Sequence, residues 1–443
     1  MFQTIKNAFT TPEICKKILI TFALLLVYRV GCFVPIPGLD SAAIFAGYAE
    51  TDFTLMLSAI TGSAFTYGTI FALGIVPFIN SFIIMQLLTL IIPKLEKLSK
   101  EGGEEGRKKI TQYTRYVAVI LALIQAIGIM FAWQDSIIPV FTGDISNQVD
   151  KIFTMIFIVI ILVGGSSLVM WLGERITEYG IGNGTSLIIF IGIISSLGTS
   201  IWGAVSVVIP AEVAQGDTTS IWFLLGFIAL VLILFFVIVF FDMAERKIKV
   251  QYAKQIKGNK MYGGQSTHIP IKVTAGGVMP VIFASSLIMF PQMIIQFGGW
   301  EATKFGIFWA EWFGTNGNLY APIMFFLIIF FAYFYAQIQF NPDDVARMLQ
   351  QNGGFVQGVR PGKATSDYLR KINNRLTLFG ALFLAFIALI PTLILQQVPG
   401  FANLGLGNAF SATGLMIVVS VALEFQKQLE SQLLVKNNKG FLK

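Results

Sequence analysis

Ten stretches of this chain are long and apolar enough to cross a lipid bilayer: about 18–34, 69–92, 116–133, 152–172, 185–209, 220–241, 275–297, 319–340, 376–396 and 405–425. A spanning helix needs roughly 17–25 mostly apolar residues. Inside hydrocarbon every backbone polar group must be satisfied within a helix or a closed barrel. Barrel strands would alternate apolar and polar positions, whereas these runs are continuous. The expected fold class is therefore an all-α integral membrane protein with ten transmembrane helices. Composition agrees, with 55% hydrophobic and 12% charged residues among 443, against about 25% charged residues in soluble domains.

Basic residues orient the spans. Twenty-eight of the 31 Lys and Arg fall in the N-terminal arm, in the loops after spans 2, 4, 6 and 8, and in the tail at 426–443. The opposite side carries only Lys151 and Lys304, with ten Asp and Glu. Lys and Arg are retained on the cytoplasmic side, so both termini are expected in the cytoplasm. The remaining basic residue, Arg29, lies inside span 1, where snorkelling to the interface or a structural carbonyl contact is expected ahead of a functional role. No cleavage site of small residues follows the first apolar run, so no removable signal peptide is expected. Most of the basic face needs no explanation beyond topology. The loops at 242–274 and 341–375 are nevertheless long for a minimal ten-helix protein, and long ordered loops are usually functional.

The segment at about 210–219 divides the spans five and five, giving halves at 1–209 and 210–443. An odd number of spans per half makes the halves enter the membrane in opposite directions. Inverted repeats of this kind often build a site or pore at their interface. Between spans 1 and 2 lies "FTLMLSAITGSAFTYG", Phe53–Gly68, which carries no charge. Phe53, Met56, Leu57, Ile60 and Ala64 recur at helical spacing and make an apolar stripe. Gly62, Ser63 and Gly68 break that helix before span 2.

Catalytic chemistry has few candidates. "GGEEGRKK" and "RPGKAT" lack the spacing of a phosphate-binding loop, and "GIGNG" at Gly180–Gly184 is not the dinucleotide fingerprint. Two cysteines, Cys15 and Cys32, make no disulfide framework, and the lone His268 cannot build a metal site unaided. No Ser–His pair and no carboxylate cluster lies in the spans. Neither a metal nor a cofactor is expected, and the chain is not expected to be an enzyme. Ion-coupled transporters usually bury ionisable residues at mid-membrane, where this chain offers only Arg29. A ten-span secondary transporter of a small solute is the alternative. A lipid-modifying membrane enzyme would need a constellation that is missing.

Six stretches carry a resemblance. They are "YRVGCFVPIPG" (Tyr28–Gly38), "IFALGIVPFINSFIIMQLL" (Ile70–Leu88) and "GERITEYGIGNGTSLIIF" (Gly173–Phe190), then "QSTHIPIKVTAGGVMPVIFASS" (Gln265–Ser286), "NPDDVARMLQQNGGFVQGVRPGKAT" (Asn341–Thr365) and "LEFQKQLES" (Leu423–Ser431). In order and in register on ten spans, they resemble the SecY/Sec61-alpha family of protein-conducting channels.

The resemblance implies a clamshell of two inverted five-helix halves around a central hourglass pore. It implies a passive channel that carries unfolded secretory polypeptides across the bacterial cytoplasmic membrane and releases membrane helices sideways into lipid. The constriction would be a ring of Ile75, Ile79, Thr185, Ile189, Ile282 and Ile417. Branched apolar side chains cannot hydrogen-bond water, so a ring of them closes a narrow pore by dewetting. Any one of these isoleucines alone reads as ordinary packing, and the motif context decides otherwise. Thr185 departs from the apolar residue usual there, and the helix of Ile189 is expected to begin around "GIGNG". Phe53–Gly68 would be the plug, with Phe53, Met56, Leu57, Ile60, Gly62 and Ala64 as its residues. Gln86, Ser285 and Ser286 would lie along the sideways opening, the lateral gate. Arg246, Lys247, Lys260 and Arg360 would dock the SecA ATPase or the ribosome. Implied partners also include SecE and SecG, signal-bearing polypeptides and membrane lipids, with no direct DNA binding.

Overall fold

The computed structural model describes residues 10–48, 61–100, 102–140, 148–210, 219–252, 255–257, 260–262, 266–274, 276–298, 300, 303–314, 317, 319–398, 401 and 412–439. Each expected span contains a helix: α1 (Pro12–Gly31), α3 (Val76–Ile91), α5 (Gly103–Ala132), α6 (Gln148–Tyr179), α7 (Gly184–Gly203), α8 (Thr219–Asp242), α9 (Met279–Phe297), α11 (Tyr320–Gln339), α13 (Lys363–Gln397) and α14 (Ala412–Lys439). Shorter helices are α2 (Ser41–Tyr48), α4 (Pro93–Lys100), α10 (Lys304–Phe313) and α12 (Pro342–Gln351). By length and apolar content alone, six helical stretches among the described residues could cross a membrane. A seventh arises if α3 and α4, bent by 105° at their junction, form one span.

Local chemistry sets several helix starts. Proline occupies the first turn of α1, α3 and α12, where its missing N–H costs nothing. Asn183 caps α7 by accepting from the Thr185 and Ser186 amides. This puts the start of α7 at Gly184, the last residue of "GIGNG". The second expected span began at 69, but α3 begins at 76, and residues 69–75 form turns. Gly74 sits there at φ +53°, left-handed, and Pro77 then fixes the helical entry. The tenth helix runs beyond 425 to Lys439, where Gln426–Glu430 and Gln428–Glu424 side-chain bonds one turn apart support its polar end.

Contacts divide the chain into two compact units, one of residues 1–225, 288–318 and 395–443 and the other of 226–287 and 319–394. In the first, Ile36, Ile44, Phe65, Trp133, Ile158 and Leu162 share one core. Helices α6 and α7 approach so closely that a Cβ added to Gly184 would lie 1.9 Å from the Gly173 carbonyl oxygen. A second cluster joins Ile14 and Ile18 of α1, Ile181, and Leu429 of α14.

In the second unit the two long loops fold together. Strands β1 (Glu245–Tyr252), β4 (Ser266–Lys272) and β5 (Gly354–Val356) form an antiparallel sheet in the order β4-β1-β5. Val250 pairs with Val356 on one side and Thr267 on the other. Strands β2 (Gln255–Lys257) and β3 (Lys260–Tyr262) make a separate two-stranded ribbon. Ile248 and Val250 point inward, at alternate positions of β1, onto Leu349 of α12 and Leu369 and Ile372 of α13. Phe283 of α9 packs against Phe331 and Tyr335 of α11, with ring centroids 5.6 and 5.2 Å apart.

Candidate functional site

In the first unit, the turn-rich segment 61–75 is buried and densely hydrogen-bonded. Thr61, Ala64, Phe65, Thr66, Thr69, Phe71, Ala72, Leu73 and Ile75 are all buried. A buried loop must satisfy its own backbone, and here the chain after α1 does so. The Ile36 amide donates to the Gly68 carbonyl and the Ile70 amide to that of Val34, both at 3.0 Å. Pro35 and Thr69 form a bridge between the two strands of chain. Within the turn, Thr66 Oγ1 donates to the Ser63 carbonyl and Thr69 Oγ1 to that of Ala64. The motif "YRVGCFVPIPG" therefore serves as the cradle of the segment preceding α3.

Arg29 resolves the one charge inside the first span. Its guanidinium donates from Nη1 to the Gly62 carbonyl at 3.4 Å and from Nη2 to Ser195 Oγ of α7 at 2.5 Å. It also lies 5.3 Å from the Phe33 ring centroid, within cation–π range. The expected carbonyl contact is thus present. Ser195 and its neighbour Gly192 were not singled out from the sequence; a small-residue pair on an apolar helix was their only signal.

Of the expected ring residues, five lie in the first unit. Ile75 is buried immediately before α3, and the Ile79 amide donates to its carbonyl at 3.1 Å. One helical turn thus aligns the pair although Ile75 precedes the helix. Thr185 is half-buried and Ile189 buried, one turn apart at the start of α7. Ile417 is buried on α14, which packs on α7. Ile282 is half-buried on α9, in the second unit. Of the expected plug residues, Gly62 and Ala64 fall in the buried turn, while Phe53, Met56, Leu57 and Ile60 lie outside the described residues.

Gln86 is half-buried on α3, and its carbonyl accepts from Thr89 Oγ1. Ser285 and Ser286 are half-buried on α9, where Ser285 Oγ donates to the Ile282 carbonyl at 3.0 Å. In the folded loops, Arg246 and Lys247 are exposed on β1, and Lys247 pairs with Glu245 at 3.3 Å. Lys260 is in β3, its backbone registered with Lys257. Arg360 is exposed in the turn between β5 and α13, its carbonyl accepting from Thr365 Oγ1 at 2.8 Å. Asp343 of α12 accepts from Ser366 Oγ and pairs with Arg370 at 2.9 Å. The Ser366 hydroxyl, followed by Arg370 and Arg347, holds the Asp343 carboxyl below its ordinary range. Asp343 therefore keeps its negative charge, and this tie between α12 and α13, throughout neutral pH.

The chain is a polytopic helical membrane protein with the fold of protein-conducting channels. It superposes on a structure described as "The structure of a protein conducting channel" with TM-score 0.66 and 20% identity, over 94% of this chain and 92% of that one. Sec61 in the canine ribosome–channel complex from the endoplasmic reticulum matches with TM-score 0.61 and 19% identity, over the same shares. A family model described as SecY matches residues 69–426. The protein translocase subunits SecY of Streptomyces scabiei, Streptomyces galbus and Mycobacterium bovis are 41%, 42% and 40% identical, each over the whole of both chains. This chain belongs to the SecY family.

Proposed function

We infer that this chain is the channel-forming subunit of a bacterial protein translocase, a gated path for unfolded polypeptides through the cytoplasmic membrane. Identity of 40–42% with translocase subunits over the full length carries the reading. A solute transporter would have no reason to share that relationship from end to end. The charge asymmetry of the loops supports cytoplasmic termini. With no nucleotide-binding motif in the sequence, energy comes from a partner, a motor ATPase such as SecA or a translating ribosome. Small partner subunits of the SecE and SecG kind complete the channel. The two halves, 1–209 and 210–443, work as the jaws around the pore.

The direct test is reconstitution of the chain with such subunits in vesicles, with a secretory precursor outside. Precursor should become protease-protected only when motor and ATP are present. Uptake of a small solute without any precursor import would overturn the reading.

In this scheme Ile75, Ile79, Thr185, Ile189, Ile282 and Ile417 form the yielding apolar constriction, and Phe53–Gly68 is its stopper. The stopper reading draws support from the segment's uncharged apolar stripe and from the buried turn on which it ends. Gln86, Ser285 and Ser286 make the lateral seam marginal in stability, because polar side chains in a helix contact bury less apolar surface than aliphatic ones would. A hydrophobic signal can then tip the seam open. Gln86→Leu should raise the signal hydrophobicity needed for import by tightening the seam. An unchanged dependence across a graded series of signal sequences would count against this role.

A further inference from the structure

We propose that Arg29 is the positioning residue of pore closure, a clasp that fastens the end of the stopper to two membrane helices. The proposal rests on the stopper reading of residues 53–68. An arginine inside an apolar span is costly and usually marks function, and α1 supplies no acidic partner for it one turn away. Instead its two terminal nitrogens reach two other parts of the chain, the Gly62 carbonyl and Ser195 Oγ. A guanidinium presents donors in a rigid fork, so one side chain can hold both at once.

The backbone is shaped to receive it. Gly62 sits at φ +67°, and the following Ser63 at φ +71°, a conformation a non-glycine residue rarely adopts. A Cβ on Gly62 would come within 2.5 Å of Arg29 Nη1 and 3.1 Å of Gly192 Cα. Only a bare backbone passes between the guanidinium and α7. After Ser63 the chain is tied down by the Thr66 and Thr69 hydroxyls. Gly62 therefore stands at the start of the fixed turn.

Both acceptors are neutral, which suits a hold that must be released. A carboxylate would add the attraction of an opposite charge, which is large away from bulk water. Ser195 is on α7, the helix that carries Thr185 and Ile189 of the constriction. Displacement of α7 by an entering polypeptide withdraws one acceptor, so widening of the ring and release of the stopper are coupled through Arg29.

The test compares resting ion leak of the reconstituted complex for wild type, Arg29→Met, Arg29→Lys, Ser195→Ala and a deletion of residues 53–62. Arg29→Met keeps an unbranched stem without charge or fork, and Ser195→Ala removes one acceptor. The expected order is wild type tight, Ser195→Ala and Arg29→Lys intermediate, and Arg29→Met close to the deletion. Amide exchange over residues 61–68 should quicken by about tenfold in Arg29→Met. If the deletion leaks while Arg29→Met is as tight as wild type, the clasp is refuted and the stopper stands. If the deletion does not leak, the stopper reading fails, and the role of Arg29 in pore closure fails with it. Unchanged exchange over residues 61–68 in Arg29→Met refutes the clasp whether or not the deletion leaks.

Discussion

Arg360→Glu should reduce precursor import by at least about 100-fold while the protein accumulates in the membrane at its normal level. The side chain is exposed, and exposed substitutions away from special features usually change stability by no more than about 0.5 kcal/mol. Its backbone is meanwhile held in place by Thr365 and by the sheet that ends at Val356. Reversal of charge replaces a forked donor with an acceptor, so an acidic or phosphate group of the docking partner meets repulsion. Arg360→Lys keeps the charge but loses the fork, and should fall between the two. Import assays of the three proteins, with immunoblots of the membrane fraction, decide the matter. Wild-type import by the glutamate variant would remove Arg360 from the docking face.

A comparably large effect of a different kind is expected at Gly184. Valine there would place a Cβ 1.9 Å from the Gly173 carbonyl oxygen and 2.8 Å from Ile176 Cβ. The nearest obstacle is backbone at the crossing of α6 and α7, which cannot move aside as the end of a flexible side chain can. Overpacking typically costs 1–3 kcal/mol and occasionally more, and this site should be at the upper end, about 3 kcal/mol. That is roughly a 100-fold loss in the folded-to-unfolded ratio. Gly198, on the same helix, has open space around it. Gly198→Val should leave the thermal midpoint of the detergent-solubilised protein within a few degrees of wild type. Equal midpoints for the two variants would show that the crossing tolerates separation.

The sequence made the spans legible because lipid imposes one requirement on all of them, a continuous apolar run. It misplaced the start of the second span for the same reason. Phe71, Ala72 and Leu73 are as apolar as any helix residues, yet they fold as turns buried against the chain after α1. Apolar character reports burial and leaves the backbone conformation open, and Gly74 with Pro77 was the only local warning. The sheet of the long loops was also readable in principle. Ile248 and Val250 alternate with Lys247, Lys249 and Gln251, the period of a strand with one buried face.

The site was less legible. An isoleucine on an apolar helix looks the same whether it lines a pore, faces lipid or fills a core, so Ile75, Ile79, Ile189, Ile282 and Ile417 came from resemblance alone. Thr185 could not be distinguished from an ordinary first-turn residue. Arg29 was conspicuous, since a charge within a span needs a reason. Its acceptors were not, because Gly62 lies 33 residues away and Ser195 lies 166 away. The spacing of a single chain has no means of reporting such pairs.

The long helix α13 has a mechanical consequence. Its 35 residues extend roughly 50 Å at 1.5 Å per residue, against a hydrocarbon core of about 30 Å. The surplus turns are at the Lys363 end, where Leu369 and Ile372 bury themselves against the sheet beside Arg360. A partner docking on that sheet, as proposed, would act on the protruding arm of a helix whose other arm, which carries Pro391, crosses the lipid. Load there would become torque on a membrane helix, because one continuous helix joins the sheet to the span.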